Sequence, residues 1–81
     1  MRISEIENQL RQRPFIPFRL RMTDGNAFDV RHPEMLLVSR TILALALHQG
    51  RDGRPEDIVF CDPLHIIRIE RLGDGDKRPR D

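Results

Sequence analysis

Three histidines, one cysteine and several carboxylates are the side chains of this 81-residue chain that could bind a metal or transfer a proton. Cys61, Asp62 and His65 lie close together in the sequence, whereas His32 and His48 lie far from them. All are metal-ligand types, but they lack the repeated, closely spaced ligand pairs of a zinc site. We therefore expect no bound metal and no other cofactor.

The remaining candidates for chemistry are expected to be structural residues. His32 and Glu34 flank Pro33 and resemble an acid–base pair, but a catalytic pair needs a third positioned group and a pocket. We expect a turn here, in which the His32 side chain caps or hydrogen-bonds the backbone. Cys61 is predicted to be a small buried apolar residue at a strand end. We expect that the protein is not an enzyme and has no small-molecule substrate.

The charges are nearly balanced, with 14 basic and 13 acidic side chains and a net charge of +1. This balance gives no overall field of the kind that attracts nucleic acids or anionic membranes, so only a local patch could do so. Lys77 is the only lysine, and arginine can donate two parallel hydrogen bonds. The candidate contacts to a nucleic acid or another partner are Arg11, Arg13, Arg19, Arg21, Arg31 and His32.

The location of the protein is predicted from its cysteine content and its charges. A single cysteine cannot form an intramolecular disulfide and suits a reducing compartment. The charged residues Arg2, Glu5 and Glu7 interrupt any apolar core of a signal peptide. The longest uncharged run, residues 41–50, is well short of the roughly 20 residues of a membrane span. We expect a soluble, cytoplasmic protein with no membrane contact.

Residues 1–13 are predicted to form a short amphipathic helix. Its apolar residues, spaced by three and four positions, are Ile3, Ile6 and Leu10. This spacing places them on one helix face. Ser4 and Glu7 have the spacing of a capping box, and Pro14 ends the helix. We expect the helix to cover one end of a sheet.

The apolar period then changes to two, which is typical of a half-buried strand. The residues expected to face the core are Ile16, Phe18, Leu20 and Met22. The Asp24-Gly25 pair predicts a hairpin turn, because glycine readily adopts the positive φ that the turn requires. The inward residues of the returning strand, residues 27–31, are Phe28 and Val30. Arg19 or Arg21 should then face Asp29 across the pair.

Residues 33–50 have two possible structures. They could form two strands, residues 35–38 and 42–47, joined by a tight turn at residues 39–41. They could instead form one helix, which their leucine and alanine content favours. The apolar residues would then coat nearly the whole circumference of that helix, and a chain this short cannot bury such a helix. We expect the two strands.

The last third of the chain predicts a polar loop and one more pair of strands. Residues 49–56 are polar and contain Gly and Pro, as is typical of a loop. The strands are residues 57–61 and 64–71, on either side of a turn at Asp62-Pro63. The first strand should direct Ile58 and Phe60 toward the core. The second should place Ile67 and Ile69 on one face and, on the other, Ile66, Arg68 and Glu70.

These elements predict a mainly β fold in which an N-terminal helix precedes a small, strongly bent, antiparallel barrel of five or six strands. Residues 1–72 are predicted to be its single domain. Residues 73–81 contain no apolar residue beyond Pro79 and are predicted to be a disordered, charged tail. The core is small at this length, so self-association would add useful burial.

Four segments resemble a group of small, uncharacterised bacterial proteins of about this length from Planctomycetes-type genomes. They are residues 13–20 (RPFIPFRL), 23–25 (TDG), 30–34 (VRHPE) and 62–66 (DPLHI). This resemblance implies no known activity. Residues 20–28 are also similar to the first motif of Sm-like proteins, which runs apolar-x-apolar-x-x-Gly-x-x-apolar. That resemblance implies a small, bent β-barrel.

The chain departs from the Sm-like pattern where those proteins bind RNA. Val30 stands in place of their second glycine, and residues 33–35 replace their RNA pocket. Arg68 is followed by Ile69 where they have glycine. The resemblance therefore implies the fold and not the RNA-binding residues.

Two functions stay open. We expect a non-catalytic interaction module that binds a second copy of itself, or another protein, through strand edges or apolar faces. The alternative is an Sm-like regulatory protein that binds RNA or DNA through its N-terminal arginines. Few aromatic side chains could stack on bases, since the chain has four phenylalanines and no Tyr or Trp.

Overall fold

A computed structural model describes residues 1–72 of the chain. The predicted charged tail, residues 73–81, lies outside the described residues. The helix and strands are α1 (Ile3–Leu10), β1 (Phe18–Met22), β2 (Ala27–Val30), β3 (Leu36–Val38), β4 (Leu43–Gln49), β5 (Pro55–Cys61) and β6 (Ile66–Arg71). Two short 3-10 turns, Pro33–Met35 and Pro63–His65, precede β3 and β6.

The six strands form two antiparallel sheets of three strands each. Sheet A has the order β2-β1-β6, and sheet B has the order β3-β4-β5. The predicted mainly β fold with an N-terminal helix is confirmed. The predicted barrel is wrong for the described residues, because no ladder of paired strands joins sheet A to sheet B. The chain passes between the sheets at the two 3-10 turns, and each begins with a proline that has no N–H to donate to a ladder.

The core lies between the two sheets and is built around their central strands. β1 contributes Phe18 and Leu20, and β4 contributes Leu43 and Leu45, all fully buried. Ile6 of α1 is equally buried and belongs to the same cluster, so the predicted apolar helix face does pack on the core. Because every second side chain of a strand points to the same face, β1 and β4 each bury one face in this core.

Helix α1 begins differently from the prediction. Arg2 is its N-cap residue, and the Arg2 backbone N–H donates to the Glu5 carboxylate at 3.1 Å. The predicted capping box of Ser4 and Glu7 is therefore wrong, because Ser4 already lies inside the first turn. The helix also ends sooner than predicted, at Leu10.

The β1–β2 hairpin closes through the predicted Asp24-Gly25 turn. Gly25 has a φ of +90°, and the Met22 N–H donates to the Asn26 carbonyl at 2.9 Å. The Asp24 carboxylate accepts a hydrogen bond from the Asn26 backbone N–H at 2.9 Å, so a side chain also stabilises the turn. The prediction of this turn is confirmed.

The same turn geometry recurs between β4 and β5. Gly53 has a φ of +85°. The Gly50 N–H donates to the Arg54 carbonyl at 2.7 Å, and the Asp52 carboxylate accepts the Arg54 N–H at 3.0 Å. The predicted loop of residues 49–56 is therefore too long, since both flanking strands extend into it.

The ambiguous segment, residues 33–50, contains β3 and β4, so the two-strand prediction is confirmed and the single helix is wrong. The strands pair antiparallel, with Leu36 opposite Leu45 and Leu37 opposite Ala44. Leu36 and Leu45 are buried, whereas Leu37 is exposed. Pairing therefore divides the apolar run between two faces of a sheet, which a helix could not have done within so small a core.

Strand β5 packs on the core through the face opposite to the predicted one. Ile58 and Phe60 share a face, as expected, but they are 57% and 68% exposed. Cys61 is buried instead, and Val59 packs against the core. The prediction that Cys61 is a small buried apolar residue is confirmed. A strand with apolar residues on both faces has no alternation that distinguishes inside from outside.

Strand β6 contains a β-bulge that shifts its register against β1. Leu20 lies opposite Ile69, whereas Met22 lies opposite Ile66. The extra residue leaves Ile67 60% exposed and Ile66 buried. The predicted common face of Ile67 and Ile69 is therefore wrong.

Gly25→Ala should destabilise the fold by about 1 kcal/mol, because the left-handed region costs an alanine roughly 1–2 kcal/mol. A Cβ at this position would meet no atom within 4 Å, so the cost is one of backbone strain. Urea unfolding measures the change. Gly25→Asn is the matched control and should lose less stability, because asparagine tolerates this region. An alanine variant as stable as the wild type would contradict this reading of the turn.

Candidate interaction surfaces

The outer face of sheet A collects charged residues from three strands. Arg19 of β1 lies between Asp29 of β2 and Glu70 of β6 in the register of the sheet. Arg21 of β1 lies beside Arg68 of β6 in the next row. Residues directly opposite on neighbouring strands share a face, so strand pairing alone brings these side chains together.

Asp29 is held by two arginines. Its carboxylate accepts a pair of hydrogen bonds from Arg19, at 2.6 Å from Nε to Oδ1 and 3.2 Å from Nη2 to Oδ2. Arg31 Nη2 donates to Oδ2 at 3.2 Å. The hydrogen bond from Arg19 holds the pKa of Asp29 below its usual value, against the opposing effect of partial desolvation. The predicted contact between Asp29 and an arginine of β1 is confirmed.

Glu70 is held in the same way by Arg21 and Arg68. The Nε atoms of both arginines approach its Oε2 atom, at 3.2 Å and 2.8 Å. The hydrogen bond from Arg21 is the main cause that lowers the pKa of Glu70. The ion pairs of the face therefore join four guanidinium groups to two carboxylates, which leaves an excess of positive charge.

Three of the candidate contacts do not join this face. Arg11, at the end of α1, lies 3.9 Å from Glu7, and Arg13 donates to two nearby backbone carbonyls. His32 is exposed, and the predicted side-chain cap is wrong, because the His32 side chain makes no capping hydrogen bond within the described residues. The His32 backbone carbonyl accepts the hydrogen bond from Met35 that closes the turn. Arg68 takes a place on the face instead, although the sequence does not single it out.

The outer face of sheet B is apolar where its three strands lie side by side. Leu37 of β3, Ala44 of β4 and Phe60 of β5 form one row across the sheet, and Ala46 and Ile58 lie opposite each other nearby. We call these five residues the apolar face. Leu37 is 72% exposed, and Ile58 and Phe60 are also mostly exposed. A cluster of large exposed apolar side chains is uncommon on a sheet face that stays exposed to solvent.

The sequence contains one signal for the apolar face that simple alternation does not reveal. From Leu43 to Leu47, strand β4 alternates leucine with alanine, and its alanines point outward. Outward positions of a strand on a solvated face are normally polar. Outward alanines are therefore unusual for a solvated face.

Two grooves beside the sheets are lined by residues that could bind a metal or transfer a proton, but these residues do not form a site there. One groove of about 420 Å³ is lined by Cys61 and His65, and another of about 390 Å³ is lined by His32 and His48. Burial raises the pKa of the Cys61 thiol, which lowers its reactivity. Within residues 1–72, no group of three His, Cys, Asp or Glu side chains is arranged to hold a metal ion.

Comparisons with models of protein families, with curated proteins and with solved structures gave no match to this chain. The resemblances to a bacterial family and to Sm-like proteins therefore stay predictions. In the part of the chain that the structure describes, no helix is long and apolar enough to cross a membrane. The cytoplasmic location also stays a prediction.

Asp29 should make the stability of the fold depend on pH. Its folded pKa lies below the value of about 3.9 in an unfolded chain, so its ion pairs stabilise the fold above that pH. This contribution is lost as the pH falls through the folded pKa. Asp29→Asn should therefore cost more stability at neutral pH than in strong acid, as urea unfolding across this range would show.

Glu34→Gln is the control for this measurement, because Glu34 is an exposed carboxylate outside sheet A. Its effect on stability should be small at every pH. A cost of Asp29→Asn that does not shrink in acid would contradict the role assigned to the Asp29 ion pairs.

Proposed function

We propose that the protein is a non-catalytic interaction module that associates with a second copy of itself through the apolar face of sheet B. The observation that carries this proposal is the joint exposure of Leu37, Ile58 and Phe60 around a strand of outward alanines. Contiguous exposed apolar surface of this kind marks a binding surface more often than it marks a solvated one.

The shape of the apolar face suits a copy of itself. Ile58 and Phe60 form a ridge along β5, and Ala44 and Ala46 form a groove along the neighbouring β4. If two faces pack about a two-fold axis parallel to the strands, the ridge of each copy fits the groove of the other. Both copies then use the same residues, as a two-fold interface requires.

Charges at the border of the face favour the same arrangement. Arg40 lies in the turn between β3 and β4, and Asp62 directly follows β5. The pairing of Val38 with Leu43 and of Leu43 with Cys61 puts both charges at one end of sheet B, toward opposite edges. The two-fold axis would bring Arg40 of each copy near Asp62 of the other. Opposite charges at an interface rim favour one orientation over its alternatives.

The association should be reversible. A face of this kind exposes several hundred Å² of apolar surface in each copy, and covering it gains about 25 cal/mol per Å². That gain exceeds the lower end of the roughly 4–15 kcal/mol that association costs in lost freedom of motion. We therefore expect a dimer with a dissociation constant in the micromolar range.

Ile58→Arg should abolish the dimer, because it would bury an unpaired charge in the interface. The wild type should sediment as a dimer at tens of micromolar, and the variant as a monomer with a dissociation constant raised about 100-fold or more. Sedimentation equilibrium measures both masses. The stability of the single chain should change little, since the Ile58 side chain is mostly exposed in one copy.

Ile67→Arg is the matched control, because it changes the same residue type in a strand outside the apolar face. Ile67 is 60% exposed and Ile58 is 57% exposed, so the two variants add a similar side chain at similar sites. The control should remain a dimer. A wild-type monomer at about 100 µM, or an equal loss of association in both variants, would contradict the proposed function.

A further inference from the structure

The outer face of sheet A carries a diagonal row of four arginines, which we call the arginine stripe. Its members are Arg31, which directly follows β2 and pairs with Asp29, then Arg19 and Arg21 of β1, and Arg68 of β6. The spacing of strands and of residues along them gives the stripe a length of roughly 15 Å. We propose that the arginine stripe binds the phosphate backbone of a nucleic acid.

The stripe keeps a positive charge after its internal ion pairs are counted. Four guanidinium groups face two carboxylates, Asp29 and Glu70, so the difference of four and two leaves a charge of +2. Each carboxylate is shared between two arginines and cannot neutralise both. A local excess of this kind exists although the whole chain has a net charge of only +1.

The arginines also keep hydrogen-bond donors that their ion pairs do not use. Each guanidinium has five N–H donors. Arg31 and Arg68, at the two ends of the stripe, each use one nitrogen in an ion pair, and their side chains are 59% and 64% exposed. The carboxylates hold the guanidinium groups in place, so less side-chain entropy is lost when an anion binds.

A linear array of arginines suits a linear polyanion. Phosphate groups repeat along a nucleic acid strand, and a guanidinium can bind each one with two parallel hydrogen bonds. Among the described residues, Phe60 is the one aromatic residue that is mostly exposed, and it lies on sheet B and not beside the stripe. The contacts should therefore be to the backbone and independent of base sequence.

The arginine stripe is separate from the apolar face. Sheets A and B pack their inner faces on one core, so their outer faces point away from each other. A dimer formed through sheet B would carry one stripe on each side, but the stripe does not require the dimer. The monomeric Ile58→Arg variant should therefore still bind, which separates a failure of this inference from a failure of the proposed function.

Fluorescence anisotropy with a labelled 12-nucleotide oligouridine tests the stripe. At low salt we expect a Kd of about 1–100 µM, as for sequence-independent binding. Three or four phosphate contacts predict that log Kd rises with log salt concentration with a slope of roughly 2 to 3. The matching oligothymidine should bind equally well, because phosphates and not 2′-hydroxyls are contacted.

Variants of the stripe should move the affinity in opposite directions. Arg31→Ala combined with Arg68→Ala should raise Kd about tenfold and lower the salt slope by roughly 1.4. Glu70→Gln removes a neutralising charge and should lower Kd several-fold. A purely structural role of Glu70 would not give tighter binding.

Arg11→Ala is the control, because Arg11 is also exposed and ion-paired but lies at the end of α1. Its Kd should match that of the wild type. Absence of binding at low salt would overturn the inference, as would an equal loss of affinity in the Arg11→Ala control. Tighter binding of polyglutamate than of oligouridine of matched charge would also overturn it and would assign the stripe to acidic proteins.

Discussion

The burial of one face of each central strand in a shared core is the constraint on which the rest of the structure depends. Phe18 and Leu20 of β1 belong to the same buried cluster as Leu43 and Leu45 of β4. Because successive side chains of a strand alternate between its faces, this burial determines which residues of both sheets reach the surface. The molecule thereby acquires two outer faces of different chemistry, one charged and one apolar.

The two outer faces differ in how they interact with water. On sheet A, arginines and carboxylates form ion pairs with one another, and exposed ion pairs of this kind contribute little to stability. The face is therefore compatible with solvent and still retains an excess of positive charge. On sheet B, Leu37 and Phe60 flank Ala44, and the described residues offer nothing to cover them. A second copy would supply that cover and would enlarge a core that is small for an independent domain.

Local patterns predicted the elements of the fold, and long-range pairing decided the rest. The alternation in β1 and the Asp24-Gly25 pair were sufficient to predict the first hairpin, because both act within a few residues. Nothing in β5 marks Phe60 as exposed, and nothing in β6 marks a bulge at Ile67, because each depends on a strand far along the chain. The absence of barrel closure in the described residues and the place of Arg68 on sheet A follow from the same pairing, so the sequence could not predict them.

A dilution series of ¹⁵N–¹H NMR spectra tests the central claim, that the apolar face is a self-association surface, most directly. Association through this face predicts concentration-dependent shifts for the amides of Leu37, Ala44, Ile58 and Phe60, while the amides of β1 stay unchanged. Unchanged spectra between about 20 µM and about 1 mM together with the ¹⁵N relaxation of a monomer, or shifts confined to sheet A, would contradict the claim.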